Sequence, residues 1–239
     1  HGSRHNGMRV DAAVPALATV LSTAGFTTGG FVSAFPLDRR FGLTAGFATY
    51  GDRMPRGTRG RFENERTGRD TVDEALAWLT PTLTASRANG GRILLWVHLF
   101  EPHAPYGQPG SGRSVADRYD DEIAEIDLQV GRIMDALGQD AASSVIVVAA
   151  DHGEAFGEHG EISHSLFVYD TTLRVPLVIA GPGVPTRTVG SPVSLVDVAP
   201  TVLPLLGLAR LDSDGVDLAP TFTGADAPAR DLYAESWAS

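Results

Sequence analysis

The 239-residue sequence contains no cysteine. This absence excludes disulfide bonds, thiolate metal sites and a cysteine nucleophile within these residues. Lysine is also absent, and the formal net charge is −10, so the chain lacks the basic surface on which nucleic-acid binding depends and we expect no nucleic-acid partner. No apolar run approaches the roughly 20 residues of a membrane-spanning helix. With 43% hydrophobic residues, the chain can still bury a sizeable core.

Predicted helices and strands alternate along the chain. Helical spacing of apolar residues and capping signals predict helices over 11–24, with Asp11 as N-cap, 70–88, 115–137 and 195–206. Short apolar or β-rich runs predict strands over 26–34, 93–97, 144–150 and 176–180, two of them (93–97 and 144–150) buried on both faces. We therefore predict an α/β fold with a mostly parallel sheet sandwiched between helices, in one domain over residues 1–239.

The segment Asp151-His152-Gly153-Glu154 directly follows one of these strands. In an open α/β sheet, the loops beyond the carboxyl ends of the strands hold the ligand site. Asp151 and His152 can both ligate a divalent cation, and Gly153 permits a close backbone approach or an unusual φ. The alternative is that Asp151 caps a following helix and His152 is solvated.

A second polar segment, with His98 and His103, follows the strand over 93–97. We expect it to emerge at the same edge of the sheet as Asp151. Pro102 and Pro105 stiffen the backbone around His103, which suits a histidine acting as a general acid or contacting an oxyanion, with a purely structural role as the alternative. For His98, at the strand end, a structural role is favoured.

Three segments, taken in order, resemble the sulfatase family of the alkaline phosphatase superfamily. Residues 97–106 read VHLFEPHAPY, like the family's VHL-x-DPH-x-PY, with Glu101 in place of Asp. Residues 150–160 read ADHGEAFGEHG, like SDHGE-x-x-GEHG, with Ala150 in place of Ser. Residues 164–183 resemble HG-x-x-LYEE-x-LRVPL followed by GPG, with Ser165 in place of Gly. Further likeness at 25–50 and 193–201 extends the resemblance over almost the whole chain.

The resemblance implies roles for particular residues. Asp151 and His152 correspond to metal ligands, and His103 to the histidine that contacts the bound sulfate or phosphate and the leaving oxygen. His164 corresponds to a histidine or lysine that does similar work. Glu154 and His159 match the motif as residues that shape the loop.

The family's earlier motifs are missing. Its members carry two metal-binding aspartates after their first strand, and then a nucleophile in a Cys-x-Pro-x-Arg or Ser-x-Pro-x-Arg segment. Neither occurs here, whereas His1-Gly2 and Asn6-Gly7 match residues that follow that segment. We therefore expect a formylglycine, Ser or Thr nucleophile outside this chain, a domain truncated at its N-terminus and also at its C-terminus, and a fragment that is inactive by itself.

The resemblance implies a metal-dependent hydrolase of sulfate esters, acting on a small anionic ester. Because imidazole suits Mn or Zn better than Ca, which prefers oxygen ligands, a phosphodiesterase or phosphonate monoester hydrolase of the same superfamily is an alternative, and the metal stays open between Ca and Mn or Zn. A non-catalytic metal-binding module of the same family is another alternative. The resemblance also favours a periplasmic or secreted location.

Overall fold

The computed structural model describes residues 7–11, 13–55, 65–107, 110 and 112–236. The chain forms two compact units, one within His1–Leu137 and the other within Gly138–Ser239. The matches at His1, Gly2 and Asn6 lie outside the described residues. No helix in the described part of the chain has the length and apolar character needed to cross a membrane. The single domain predicted over 1–239 stays a prediction.

The first unit is built on a parallel three-stranded sheet. Its strands are β1 (Phe26–Val32), β2 (Thr49–Gly51) and β3 (Arg92–His98), in the order β2-β1-β3. The central strand β1 is buried at every position but one, because helices pack against it. At Gly29 a Cβ would lie 2.8 Å from the ring of Trp78, so this glycine lets an indole pack directly on the strand.

Three helices accompany this sheet: α1 (Leu17–Thr23), α2 (Gly68–Asn89) and α3 (Val115–Leu137). Short 3₁₀ turns occupy Phe35–Leu37 and Arg39–Phe41. The predicted positions of α2 and α3 are confirmed. Thr67 caps α2 at its start and Gly90, at φ 70°, ends it. The predicted start of α1 at residue 11 is wrong: the helix begins at Leu17, because Pro15 disfavours a helical conformation for the residue before it. Asp11 is therefore not its N-cap and accepts a hydrogen bond from the Ala13 amide.

The apolar stripe of α3 is less buried than its spacing predicts. Ile123 is 44% exposed, whereas Gln129 is almost fully buried. Gln129 donates to Glu125 and accepts from Arg132, so its amide is satisfied within the helix. Arg132 in turn pairs with Asp73 of α2. Polar contacts as well as apolar ones therefore connect these two helices.

The second unit contains the antiparallel pair β4 (Ile146–Ala149) and β5 (Leu177–Ala180). Its helices are α4 (Asp170–Leu173), α5 (Val198–Leu205) and α6 (Ala219–Phe222), and 3₁₀ turns occupy Gly138–Ser143, Glu158–Gly160 and Leu195–Asp197. The prediction that the strand at 144–150 is buried on both faces is wrong, since Val148 is exposed. Among the described residues, the first unit thus has a three-stranded parallel sheet, and the second unit has a two-stranded antiparallel sheet.

A buried aspartate organises the last part of the second unit. The Asp197 carboxylate is fully buried and accepts hydrogen bonds from the amides of Ser194 (2.8 Å) and Val216 (2.9 Å). It also pairs with Arg230. Burial raises the pKa of Asp197, but the hydrogen bonds from Arg230 and the two amides outweigh it and hold that pKa below its ordinary value of 3.8.

The variant Asp197→Asn should be less stable than the wild type by about 2 kcal/mol at neutral pH, because charged hydrogen bonds become neutral ones. Since the folded-state pKa is depressed, the carboxylate's contribution is fully present above the ordinary value of 3.8 and is lost as the pH falls through the lower folded value. Urea unfolding at several pH values checks this. The stability difference should shrink on acidification, and a difference that stays constant down to pH ~2 would contradict it.

Candidate metal-binding turn and its histidines

The predicted site residues are divided between the two units. Asp151, His152 and His164 belong to the second unit, whereas His98 and His103 belong to the first. The expectation that both groups emerge at one sheet edge stays a prediction.

The turn after β4 fits only a glycine at position 153. The Gly153 amide donates to the Thr172 carbonyl (2.8 Å), which brings two backbone segments together. A Cβ at this position would lie 2.2 Å from the carbonyl oxygen of Thr171, far inside van der Waals contact. The predicted close backbone approach is therefore confirmed, and it fixes where Asp151 and His152 emerge from the strand.

Asp151 and His152 present two neighbouring atoms of the kinds that can ligate a metal. The Nδ1 of His152 lies 2.8 Å from the Gly153 carbonyl oxygen; since a carbonyl only accepts, Nδ1 carries the proton and the lone pair of the neutral ring is on Nε2. This Nε2 lies 3.9 Å from the Asp151 carboxylate, which is 78% exposed. A carboxylate oxygen and an imidazole nitrogen are both suitable ligands for a divalent cation.

The alternative reading of this turn, a helix cap, is wrong. In the part of the chain that the structure describes, no helix begins directly after Asp151, and its carboxylate accepts from the amide of His152 instead. The pair is nevertheless incomplete as a metal site. Among the described residues, no group of three or more His, Cys, Asp or Glu side chains is placed to hold a metal ion. Divalent cations take at least four ligands, so Asp151 and His152 fit as part of a coordination shell only.

The structure brings His164 against His152. The two imidazole rings stack with centroids 4.0 Å apart and planes inclined by 29°. On its other side, the Nδ1 of His164 lies 3.2 Å from each oxygen of the Glu154 carboxylate. The Glu154 side chain is only 4% exposed. The sequence analysis gave Glu154 only a role in shaping the loop. Its pairing with His164, ten positions further along the chain, follows no regular spacing and could not be predicted.

The loop that carries His164 is held by a second buried carboxylate. One oxygen of Glu161 accepts from the amides of Leu166 (3.0 Å) and Phe167 (3.1 Å). His159 stacks on Tyr169 with ring centroids 4.1 Å apart, in agreement with its predicted role in shaping the loop. Ser165, which stands where the resembling motif has glycine, adopts a φ of 92°. This conformation is strained for a residue with a Cβ.

Replacing Ser165 with glycine should stabilise this loop by about 0.5–1 kcal/mol. Removing the Cβ relieves a strain of about 1–2 kcal/mol, which exceeds the ~0.5–1 kcal/mol entropic cost of a new glycine. Amide hydrogen exchange across residues 161–173 measures the effect. The matched variant Ser163→Gly, at a residue whose φ is negative, should accelerate exchange. Equal effects of the two substitutions would contradict the role of φ.

In the first unit, His103 is held in a single pose. Its amide donates to Glu122 of α3 (3.2 Å), and its Nδ1 lies 2.8 Å from the Ala104 carbonyl oxygen. Its ring stacks on Phe100 with centroids 4.1 Å apart. Glu122 also accepts from the Gly107 amide (2.7 Å), so one carboxylate holds both ends of loop 103–107. These contacts fit the expected fixed pose of His103, which stays a prediction, and no sequence pattern pointed to Glu122.

The residues around His98 connect the strand end to neighbouring elements. The His98 carbonyl accepts from both the amide and the hydroxyl of Ser33 (3.2 and 2.6 Å). Glu101, the departure from the resembling motif, accepts from the Gly68 amide at the first residue of α2 (2.9 Å). A carboxylate is favourable at a helix N-terminus. Both contacts support structural roles at this strand end.

Comparison with known proteins gives one consistent family. A family model described as Sulfatase matches residues 4–208. The steryl-sulfatase of Mus musculus is 34% identical over 179 residues, which cover 65% of this chain and 27% of that protein. The choline-sulfatase of Rhizobium meliloti (strain 1021) is 34% identical over 110 residues, covering 44% of this chain and 21% of that protein. The chain thus spans less than a third of the length of these two relatives.

Solved structures share the fold. The candidate sulfatase yidJ from Bacteroides fragilis superposes with a TM-score of 0.69 at 18% identity, over 92% of this chain and 62% of that one. The phosphonate monoester hydrolase SpPMH from Silicibacter pomeroyi gives a TM-score of 0.66 at 20% identity, over 97% of this chain and 65% of that one. The TM-scores show a shared alkaline phosphatase-like fold, as the sequence predicts, and at these identities they show the fold alone.

Proposed function

Because the chain belongs to the sulfatase family, we propose that it supplies part of the active site of a metal-dependent hydrolase of sulfate esters. The observation that carries the proposal is the turn after β4. There, Asp151 and His152 offer adjacent oxygen and nitrogen ligands, and His164 stacks on His152. The substrate is a small anionic ester, in keeping with the family.

The proposed metal ligands of this chain are the Asp151 carboxylate and Nε2 of His152. A divalent cation at this position would polarise the ester oxygens and make the nucleophile more acidic. The remaining ligands come from outside the residues that the structure describes. The exposed carboxylate suits Ca, whereas the imidazole suits Mn or Zn, so the two classes of cation are compared directly in the experiment below.

The imidazoles of His164 and His103 are proposed to act on the ester. In each ring Nδ1 faces an acceptor, Glu154 for His164 and the Ala104 carbonyl for His103. The remaining nitrogen, Nε2, is then the atom that can hold a proton for the leaving oxygen or donate a hydrogen bond to a negatively charged group. For His103 this role rests on its motif and on its fixed pose within the first unit.

The nucleophile is proposed to lie outside this chain. The sequence has no cysteine that could become formylglycine, and it has no Ser-x-Pro-x-Arg or Thr-x-Pro-x-Arg segment. The chain by itself is then expected to bind a divalent cation weakly and to turn over no ester. In the intact active site, a hydroxyl of formylglycine, Ser or Thr would attack the sulfur of the ester. The S–O bond to the alcohol would break as the leaving oxygen takes a proton, and the sulfate held on the nucleophile would then be released.

A second candidate function is hydrolysis of phosphodiesters or phosphonate monoesters. The imidazole ligand His152 favours it, and the fold is similar to that of the phosphonate monoester hydrolase from Silicibacter pomeroyi. A third candidate, a non-catalytic metal-binding module, requires that the full-length protein also lack a nucleophile segment. The preceding stretch of the gene separates the third candidate from the first two.

The test uses the full-length protein, stripped of metal and reloaded with Ca, Mn or Zn. Turnover of an aryl sulfate, an aryl phosphodiester and an aryl phosphonate is then compared. We expect the aryl sulfate to give the highest kcat/KM and activity to disappear in chelator. A preference for either phosphorus ester would select the second function. Absence of turnover with every metal, together with absence of a nucleophile segment, would select the non-catalytic module.

A further inference from the structure

The carboxylate of Glu154 is buried, which is energetically unfavourable for a charged group. Its side chain is 4% exposed, and burying a carboxylate is unfavourable unless a hydrogen-bonding partner compensates for the lost water. Both of its oxygens lie 3.2 Å from Nδ1 of His164, closer than the Ser163 hydroxyl, which lies 3.5 Å from the same nitrogen and can also accept from it. This nearly symmetric contact compensates for part of the burial of Glu154. It also restricts which nitrogen of His164 can carry the proton.

A carboxylate in its ionised form only accepts hydrogen bonds. The proton of a neutral His164 is therefore on Nδ1, which leaves the lone pair on Nε2, on the far side of the ring from Glu154. In the protonated ring Nδ1 still donates to Glu154 and Nε2 carries the second N–H. In both states the chemistry of His164 is directed to Nε2, as hydrogen bonding to one ring nitrogen determines the role of the other.

The position of Glu154 follows from the same backbone anchor that presents the metal-binding pair. Glu154 comes directly after Gly153, whose amide is bound to the Thr172 carbonyl. The stacking of His164 on His152 fixes the plane of the His164 ring. The contact of Nδ1 with Glu154 fixes how the ring is oriented within that plane. The turn after β4 thus controls both the metal-binding pair and the orientation of the histidine that stacks on it.

We propose that Glu154 is the positioning residue of His164, holding the imidazole in the Nδ1–H tautomer so that Nε2 is the nitrogen that acts on the ester. The inference rests on the proposed function for the role of Nε2. The tautomer itself does not depend on it. A residue of this kind typically changes activity by about 10–100-fold when it is removed.

The first test measures the tautomer in the metal-free chain. Long-range ¹H–¹⁵N correlation at a pH where the imidazoles are neutral identifies the protonated nitrogen of each histidine, and His164→Gln assigns the His164 signals. We expect Nδ1–H in the wild type, and a shift towards Nε2–H in Glu154→Met, where the acceptor is replaced by a side chain of similar volume. The matched variant Glu158→Met, at an exposed carboxylate that accepts from the Phe156 amide, should leave the His164 signals unchanged.

Three outcomes overturn the inference: Nε2–H in the wild type, an unchanged tautomer in Glu154→Met, or an equal change in Glu158→Met. The wild-type measurement remains decisive even if Glu154→Met does not fold. In the full-length protein, Glu154→Met should lower kcat by about 10–100-fold with little change in KM. A tautomer change in a full-length protein that hydrolyses no ester would support the positioning role and contradict the proposed function. An unchanged tautomer with intact sulfatase activity would do the reverse.

Discussion

His152→Ala should remove nearly all metal-dependent turnover from the full-length protein. The substitution deletes one of the two proposed ligating atoms at the described turn and leaves the Asp151 carboxylate there without its imidazole neighbour. Loss of a residue that merely orients a ligand costs about 10–100-fold, and loss of a ligand itself should cost more. Initial rates with saturating Ca or Mn, on the substrate preferred by the wild type, measure the effect.

The matched control for this prediction is His159→Ala. His159 is also a histidine of the second unit, but its ring stacks on Tyr169 and not on His152 or His164. Its removal should leave metal dependence as in the wild type. Calorimetric titration of each variant with Mn should show weaker Mn binding in His152→Ala and wild-type Mn binding in His159→Ala. Full activity of His152→Ala at ordinary metal concentrations would refute the assignment of His152 as a ligand.

Gly153→Ala should strongly destabilise the second unit. The added Cβ would lie 2.2 Å from the Thr171 carbonyl oxygen, and a backbone atom cannot rotate away. Overpacking a rigid site typically costs 1–3 kcal/mol, and this overlap places the expected cost at about 3 kcal/mol. Divalent-cation binding should weaken too, because relief of the overlap moves Asp151 and His152.

Hydrogen exchange across residues 144–180, with and without Mn, checks both parts of this prediction. Gly190→Ala is the control, because its Cβ would meet no atom within 4 Å and its φ is not in the left-handed region. It should change exchange little or slow it slightly. Wild-type exchange and wild-type cation binding in Gly153→Ala would show that the backbone contact with Thr171 is not required.

Local patterns in the sequence predict the long helices and the position of the Asp151-His152-Gly153 turn after a strand. The helix α2 has a capping threonine and a terminal glycine, and the Asp-His-Gly segment directly follows a β-branched apolar run. Both signals depend on residues close together in sequence. The parallel order of β1 and β3 likewise follows from a helix lying between the two strands.

The contacts that refine the site could not be predicted in this way. Glu154 reaches His164 across ten residues, and Glu122 reaches His103 from a different helix. Neither separation in sequence matches a helix or strand repeat. The pattern therefore does not distinguish such a carboxylate from an ordinary surface glutamate. The exposure of Val148 was missed for another reason: an apolar run indicates a strand but does not say how many of its faces are covered.

The two hydrogen bonds that Glu122 accepts from loop 103–107 bear on the energetics of the proposed substrate binding. A flexible loop loses conformational entropy when a ligand arrives, and that loss weakens binding. Here the two ends of the loop are already fastened to one side chain of a long helix, so the ordering of the loop takes place during folding. If His103 acts on the ester as proposed, its imidazole is preorganised and binding requires no further loss of entropy from its own loop.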